Sequence, residues 1–113
     1  MRVLVCGSRD WTDGKAIEQR LRQLPRGSTV IHGDARGADR LAAVIASGLG
    51  LNVIAVPADW DRLGRSAGKI RNISMLEMKP ELVIAFWKNG STGTAHTIEN
   101  ATRRGIALEV HHG

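Results

Sequence analysis

Val3-Leu4-Val5-Cys6 runs directly into Gly7-Ser8-Arg9-Asp10-Trp11, and this junction decides the fold. A short apolar, β-branched run that stops at glycine and polar residues reads as a buried strand entering a loop. The same junction recurs twice. Thr29-Val30-Ile31 leads into His32-Gly33-Asp34-Ala35-Arg36-Gly37-Ala38-Asp39, and Leu82-Val83-Ile84-Ala85-Phe86 leads towards Asn89-Gly90-Ser91-Thr92-Gly93-Thr94. In an open α/β sheet, ligands bind outside the carboxyl ends of the strands. Three glycine loops at three strand ends therefore point to one shared site for a phosphorylated ligand.

Helix signals fill the gaps between the strands. Thr12 or Asp13 can cap a helix that runs to about Leu24, with Ala16, Ile17, Leu21 and Leu24 on one face, until Pro25 and Gly27 stop it. A second helix is expected from about Gly37 to Gly48, and a third strand over 51–56. Residues 57–69 are too long and too polar for a simple connection and read as a functional loop, or lid. A helix from about Ile70 to Met78, a strand over 82–87, a helix from about Thr94 to Arg104 and a last strand from Ile106 to Val110 complete the chain. Strands alternate with helices throughout. The expected fold is one Rossmann-like α/β domain spanning 1–113, a five-stranded parallel sheet with helices on both faces. Right-handed crossovers favour the strand order 3-2-1-4-5. Its switch point puts the loops after strands 1 and 4 across one crevice, with the loop after strand 2 beside them.

Composition narrows the function classes. The chain has 113 residues, 42% of them hydrophobic, with no apolar run near the ~20 needed to span a membrane. With no signal-peptide pattern at the start, a cytoplasmic protein is expected. The lone Cys6 ends a buried strand and reads as core rather than nucleophile. The net charge is +5, and 12 of the 16 basic residues are arginine, whose planar fork suits phosphate. Several of them fall in the loops rather than in one run, which favours a focused anion site over a general polyelectrolyte surface.

The loops name the candidate ligand residues. Gly7 permits close backbone approach, Ser8 offers a hydroxyl and Arg9 a paired hydrogen bond. Gly33, Arg36 and Gly37 flank a helix N-terminus, where free N–H groups favour an anion, although Asp39 can answer the same dipole without a ligand. His32 reads as a packed, hydrogen-bonded strand residue. Gly93 and Thr94 open the helix after strand 4, where Thr92 or Thr94 can equally be its cap. Arg71 and Asn72 follow the lid. Trp60, like Trp11 and Trp87, either packs in its loop or stacks on a base. Neither a Walker A loop nor the dinucleotide Gly-x-Gly-x-x-Gly is present. No metal site and no cofactor are expected; His111 and His112 adjoin at the C-terminus, where chains fray.

Together these residues resemble the YspA-like branch of the SLOG superfamily. The resemblance rests on Gly7-Ser8-Arg9-Asp10, His32-Gly33 with Gly37-Ala38-Asp39, Pro57-Ala58-Asp59-Trp60, Gly64 with Ala67-Gly68 and Arg71-Asn72, and Gly93-Thr94. It implies a Rossmann-like domain that binds a nucleotide or nucleotide-derived signal, ADP-ribose-like or cyclic, as a sensor or sequestering protein in bacterial or phage conflict systems. Two relatives imply alternatives. The LONELY GUY phosphoribohydrolases carry Pro-Gly-Gly-x-Gly-Thr-x-x-Glu and cleave nucleotide N-glycosidic bonds. Here Gly93-Thr94 is kept, but Thr97 stands at the place of the catalytic Glu and Glu99 lies two residues on. For turnover the candidates are Asp39 and Glu99, with Asp10, Asp34 and Asp59 as further carboxylates. The DNA-processing relatives imply single-stranded DNA as a less favoured partner. A homo-oligomer is also expected, since a small sheet often needs a second copy to complete a cleft.

Overall fold

The computed structural model describes residues 1–113. Five strands, β1 (Arg2–Gly7), β2 (Thr29–His32), β3 (Asn52–Ala55), β4 (Leu82–Trp87) and β5 (Ala107–His112), form one all-parallel sheet in the order β3-β2-β1-β4-β5. This is the order expected from the sequence. The central strands β1 and β4 are buried on both faces, as their unbroken apolar runs require. Alternate side chains feed two cores. Val3, Val5, Val30, Ile84 and Phe86 pack under α1 (Gly14–Leu21) and α2 (Ala38–Gly48). Leu4, Cys6, Ile31, Val83 and Ala85 pack on the opposite face against Met75, Leu76 and Ala101. Those last three come from the helices α4 (Ala67–Glu77) and α5 (Thr92–Arg103). No helix is long and apolar enough to cross a membrane.

Several boundaries differ from the sequence reading, each for a local reason. Helix α1 ends at Leu21 because Pro25 disfavours helical backbone at the residue before it. Gln23 and Leu24 close instead through tighter bonds to Arg20 and Leu21. The 57–69 segment is not simply a loop. It holds the short helix α3 (Trp60–Leu63), a 3₁₀ turn (Gly64–Ser66) and the first turn of α4. Asp59 caps α3 by accepting from the Arg62 amide at 3.2 Å. Helix α5 starts at Thr92, two residues early, and its cap is Ser91 rather than either threonine. Strand β5 runs through His111 and His112, which pair in register with Phe86 and Trp87. The His111 ring stacks on Phe86 at 5.0 Å, so the C-terminal histidines are held in the sheet.

Candidate functional site

The switch point between β1 and β4 opens into a cleft of about 1000 Å³. Its floor is the carboxyl end of β1, its near wall the loop after β2, and its far wall the N-terminus of α5. The start of α4 and Trp60 form the rim. Of the expected residues, Gly7, Arg9, Arg36, Trp60, Arg71, Asn72, Gly93 and Thr94 line this cleft. Asp39 and Thr97 line it too.

Three of the expected ligand residues belong to the frame. The Ser8 hydroxyl is buried, donates to the Lys88 carbonyl at 2.7 Å and accepts from the Lys88 amide at 2.7 Å. It locks the β1 loop to the β4 loop and does not face the cleft. Gly37 lies outside the lining as well. Its φ of +82° and the carbonyls of Ser8 and Arg9, which press on the site of a missing Cβ, require glycine for close loop packing. The Ser8 carbonyl also takes the Ala38 amide, at 3.2 Å, from the α2 N-terminus. Gly33 lies under the Arg71 side chain, whose guanidinium an added Cβ would meet.

The loop after β2 carries its own anion. Asp39 is buried, and one carboxylate oxygen accepts from the Gly33 amide at 2.9 Å and the Ala35 amide at 3.5 Å. The Arg71 guanidinium donates to the Gly33 carbonyl and, through Nε, to Asn72 Oδ1 at 2.9 Å. Burial pushes the Asp39 carboxyl up to about 6, against the opposing pull of Arg71 and the two amides. Burial likewise lowers the pKa of Arg71, with Asp39 countering it. The amides that a ligand phosphate would use at this loop are thus taken by Asp39. Burial lowers His32, whose Nδ1 accepts from the Asp34 amide at 2.9 Å. Burial also raises the Cys6 thiol, which keeps it protonated and unreactive at neutral pH.

The far wall is different. The amides of Thr92 and Gly93 lie in the first turn of α5, beyond reach of any intrahelical carbonyl. The cap hydroxyl of Ser91 takes the Thr94 amide at 3.4 Å and the Thr94 hydroxyl at 3.0 Å instead. Asn72 braces this wall from α4, donating to the Gly93 carbonyl at 3.4 Å and contacting His96 Nδ1 at 3.3 Å. At Gly93 itself an added Cβ would meet nothing within 4 Å, so the fold does not demand glycine there.

Charge completes the site. Six cations, Arg9, Arg36, Arg65, Lys69, Arg71 and Lys88, line the cleft against two carboxylates, Asp10 and Asp39. The chain's arginine ion pairs involve Arg20, Arg22, Arg40, Arg62 and Arg103, leaving Arg9, Arg36 and Arg65 unpaired. Lys88 joins the site beyond the expected residues, marked only by its position just past β4. Asn89 donates to Asp10 and so bridges the two loops at the cleft mouth.

Of the two candidates for turnover, Asp39 lines the cleft and Glu99 does not. Glu99 is exposed, paired with Arg103 at 2.7 Å, and does not line the cleft. Thr97 does line it, with its hydroxyl on the Gly93 carbonyl at 3.4 Å, so the position that faces the cleft carries no carboxylate. The tryptophans also separate. Trp11 is buried, 5.3 Å from Phe86, with its indole N–H on the Asp13 carbonyl. Trp87 donates to the Ser91 carbonyl at 3.0 Å. Trp60 alone is exposed at the cleft, its ring lying against Gly68. No group of three His, Cys, Asp or Glu side chains is gathered for a metal.

A parallel sheet in this order, with a basic cleft at its switch point, defines the Rossmann-like class. The chain belongs to the YspA, cpYpsA-related SLOG family, whose profile matches residues 1–63. It is similar to the Gene 61 protein of Mycobacterium phage D29, with 40% identity over 95% of this chain and 93% of that protein. Its fold is similar to that of DNA processing protein A (DprA) from Streptococcus pneumoniae, with a TM-score of 0.65 and 19% identity. That likeness covers 96% of this chain, but this chain spans only 58% of the pneumococcal one.

Proposed function

We propose that the cleft binds a phosphorylated nucleotide derivative and that the protein acts as its sensor or sequestering agent. The observation that carries this reading is the far wall. Open first-turn amides at Thr92 and Gly93 face a cleft whose cations outnumber its carboxylates. Arg9 and Arg36 are free to pair with a phosphate, Arg71 stands at the rim, and the exposed Trp60 offers a face to a base. Binding rather than turnover is favoured because Thr97 replaces a carboxylate at the cleft-facing position and Glu99 points away.

Gly93 gives the test. Nothing in the fold opposes a Cβ there, and an alanine in the first turn of a helix is not penalised. Gly93→Ala should keep its urea midpoint and lose nucleotide affinity by about tenfold or more, because the added methyl stands where the backbone must meet the phosphate. Titration calorimetry against a panel of nucleotides measures this. Release of free base during the titration would support the phosphoribohydrolase alternative. Binding of many single-stranded DNA sequences, with a steep salt dependence, would support the DNA alternative.

A further inference from the structure

One chain of hydrogen bonds joins the two walls of the cleft and ends on a histidine outside its lining. The Arg71 guanidinium donates to the Gly33 carbonyl in the loop after β2 and, through Nε, to Asn72 Oδ1 at 2.9 Å. The Asn72 amide nitrogen donates onward to the Gly93 carbonyl at 3.4 Å, in the first turn of α5, and reaches His96 Nδ1 at 3.3 Å. His96 is half-buried, about one turn further along the same helix, and does not line the cleft.

The partners fix each role in this chain. Arg71 Nε only donates, so the Asn72 oxygen faces it; the Gly93 carbonyl only accepts, so the Asn72 nitrogen faces that side. An amide NH₂ carries two hydrogens and accepts nothing. His96 Nδ1 must therefore accept the second hydrogen, which requires a neutral ring with its proton on Nε2. Burial lowers the ring from the ordinary value of 6.5; Lys69 of α4 and Arg103 of α5 act in the same direction, and Glu99 of α5 opposes them. The ring is thus neutral at pH 7. At lower pH it gains a proton on Nδ1, and a donor then faces a donor. Turning the Asn72 amide to suit the charged ring would set its nitrogen against Arg71 Nε and its oxygen against the Gly93 carbonyl.

We propose that His96 is a positioning residue for ligand binding: its neutral ring holds Asn72, and through Asn72 both walls of the cleft, and its protonation releases them. The Gly93 carbonyl belongs to the turn whose open amides face the cleft, and Arg71 is one of the cleft's cations, so both are displaced together. The effect on binding rests on the phosphorylated-nucleotide reading of the main cleft. Its sign is distinctive. Charge alone would tighten anion binding as His96 gains a proton, whereas lost positioning weakens it.

The experiment has two arms, each comparing wild type with His96→Asn, which sets an acceptor oxygen near the place of the ring nitrogen and cannot be protonated. In the first, nuclear magnetic resonance of the ligand-free protein follows the His96 ring and the Asn72 side-chain amide from about pH 8 to about pH 5. The Asn72 signals should move with the His96 midpoint in wild type and lose that component in His96→Asn. In the second, titration calorimetry measures ADP affinity at both ends of that range. Asp39, which titrates near 6 beyond Arg71, is present in both proteins, so the ratio of their affinities cancels it together with the ionisation of ADP. Near pH 8 the two should bind alike, and near pH 5 wild type should be weaker by about three- to tenfold, the scale of one hydrogen bond. His96→Leu, which offers no acceptor, should show that loss already near pH 8. The proposal is overturned if the Asn72 signals ignore the His96 midpoint, or if wild type binds ADP as well as or better than His96→Asn near pH 5. If ADP binds neither protein at either pH, the nucleotide reading falls and takes the effect on binding with it, while the ligand-free spectra still decide the link from His96 to Asn72.

Discussion

In the frame that supports the cleft, Ser8, Asp39 and Asn72 are buried and each bonds a neighbouring backbone or side chain. Along the rim, Arg9, Arg36 and Arg65 are exposed and pair with nothing in the protein. Both regions are polar. The difference lies in where their hydrogen-bonding capacity is satisfied. The frame answers itself, which shapes the cleft; the rim is left for solvent or a ligand. Frame substitutions should therefore cost stability, and rim substitutions should cost binding alone.

The largest effect is expected in the frame at Gly37. Alanine there would hold a φ of +82° and drive its Cβ into the Ser8 and Arg9 carbonyls. Gly37→Ala should lose roughly 3–5 kcal/mol, the combined scale of backbone strain and overpacking, read as a lower urea midpoint. A loss below about 1 kcal/mol would mean that the loops can separate, and the contrast of frame with rim would weaken.

Asp39 comes next, through pH. Its folded carboxyl titrates near 6, above the ordinary value of 3.8, so the folded state holds this proton more tightly than the unfolded state. Stability from this group is complete below about pH 4 and is lost as pH rises through about 6, by up to roughly 3 kcal/mol. Asp39→Asn removes that ionisation. Stability curves between pH 4 and 7 should show the variant gaining on the wild type as pH rises. Parallel curves would show that burial of Asp39 carries no such linkage.

Ser8→Ala is smaller. It leaves the half-buried Lys88 amide and carbonyl without their side-chain partner, at about 1–3 kcal/mol. Because the hydroxyl faces the frame, nucleotide affinity of the folded variant should stay within about twofold. A loss of tenfold affinity with unchanged stability would instead make Ser8 a ligand residue.

The same contrast explains what could be read from the chain. The strand order was legible because the buried parallel strands are short unbroken apolar runs, and because each ends in a glycine loop. The cleft position followed from that order. The assignment of individual polar residues did not, since their partners are distant in sequence. Ser8 bonds a backbone 80 residues away, and Arg71 reaches Gly33 across 38. A serine after Gly7 looks identical whether it faces a phosphate or Lys88. The short helix at Trp60–Leu63 was missed because four residues with no buried member carry no periodicity. Two residues turn a helix by about 200°, which sets Glu99 on a different face from the cleft-lining Thr97.

The central claim is that the rim arginines serve a phosphorylated ligand and not the fold. Titration calorimetry of Arg9→Ala and Arg36→Ala with the nucleotide bound best by the wild type, alongside urea unfolding, tests it most directly. The expected result is an affinity loss of about tenfold or more for each variant, with stability within about 0.5 kcal/mol of wild type. Variants that bind the nucleotide as well as wild type does would contradict the account.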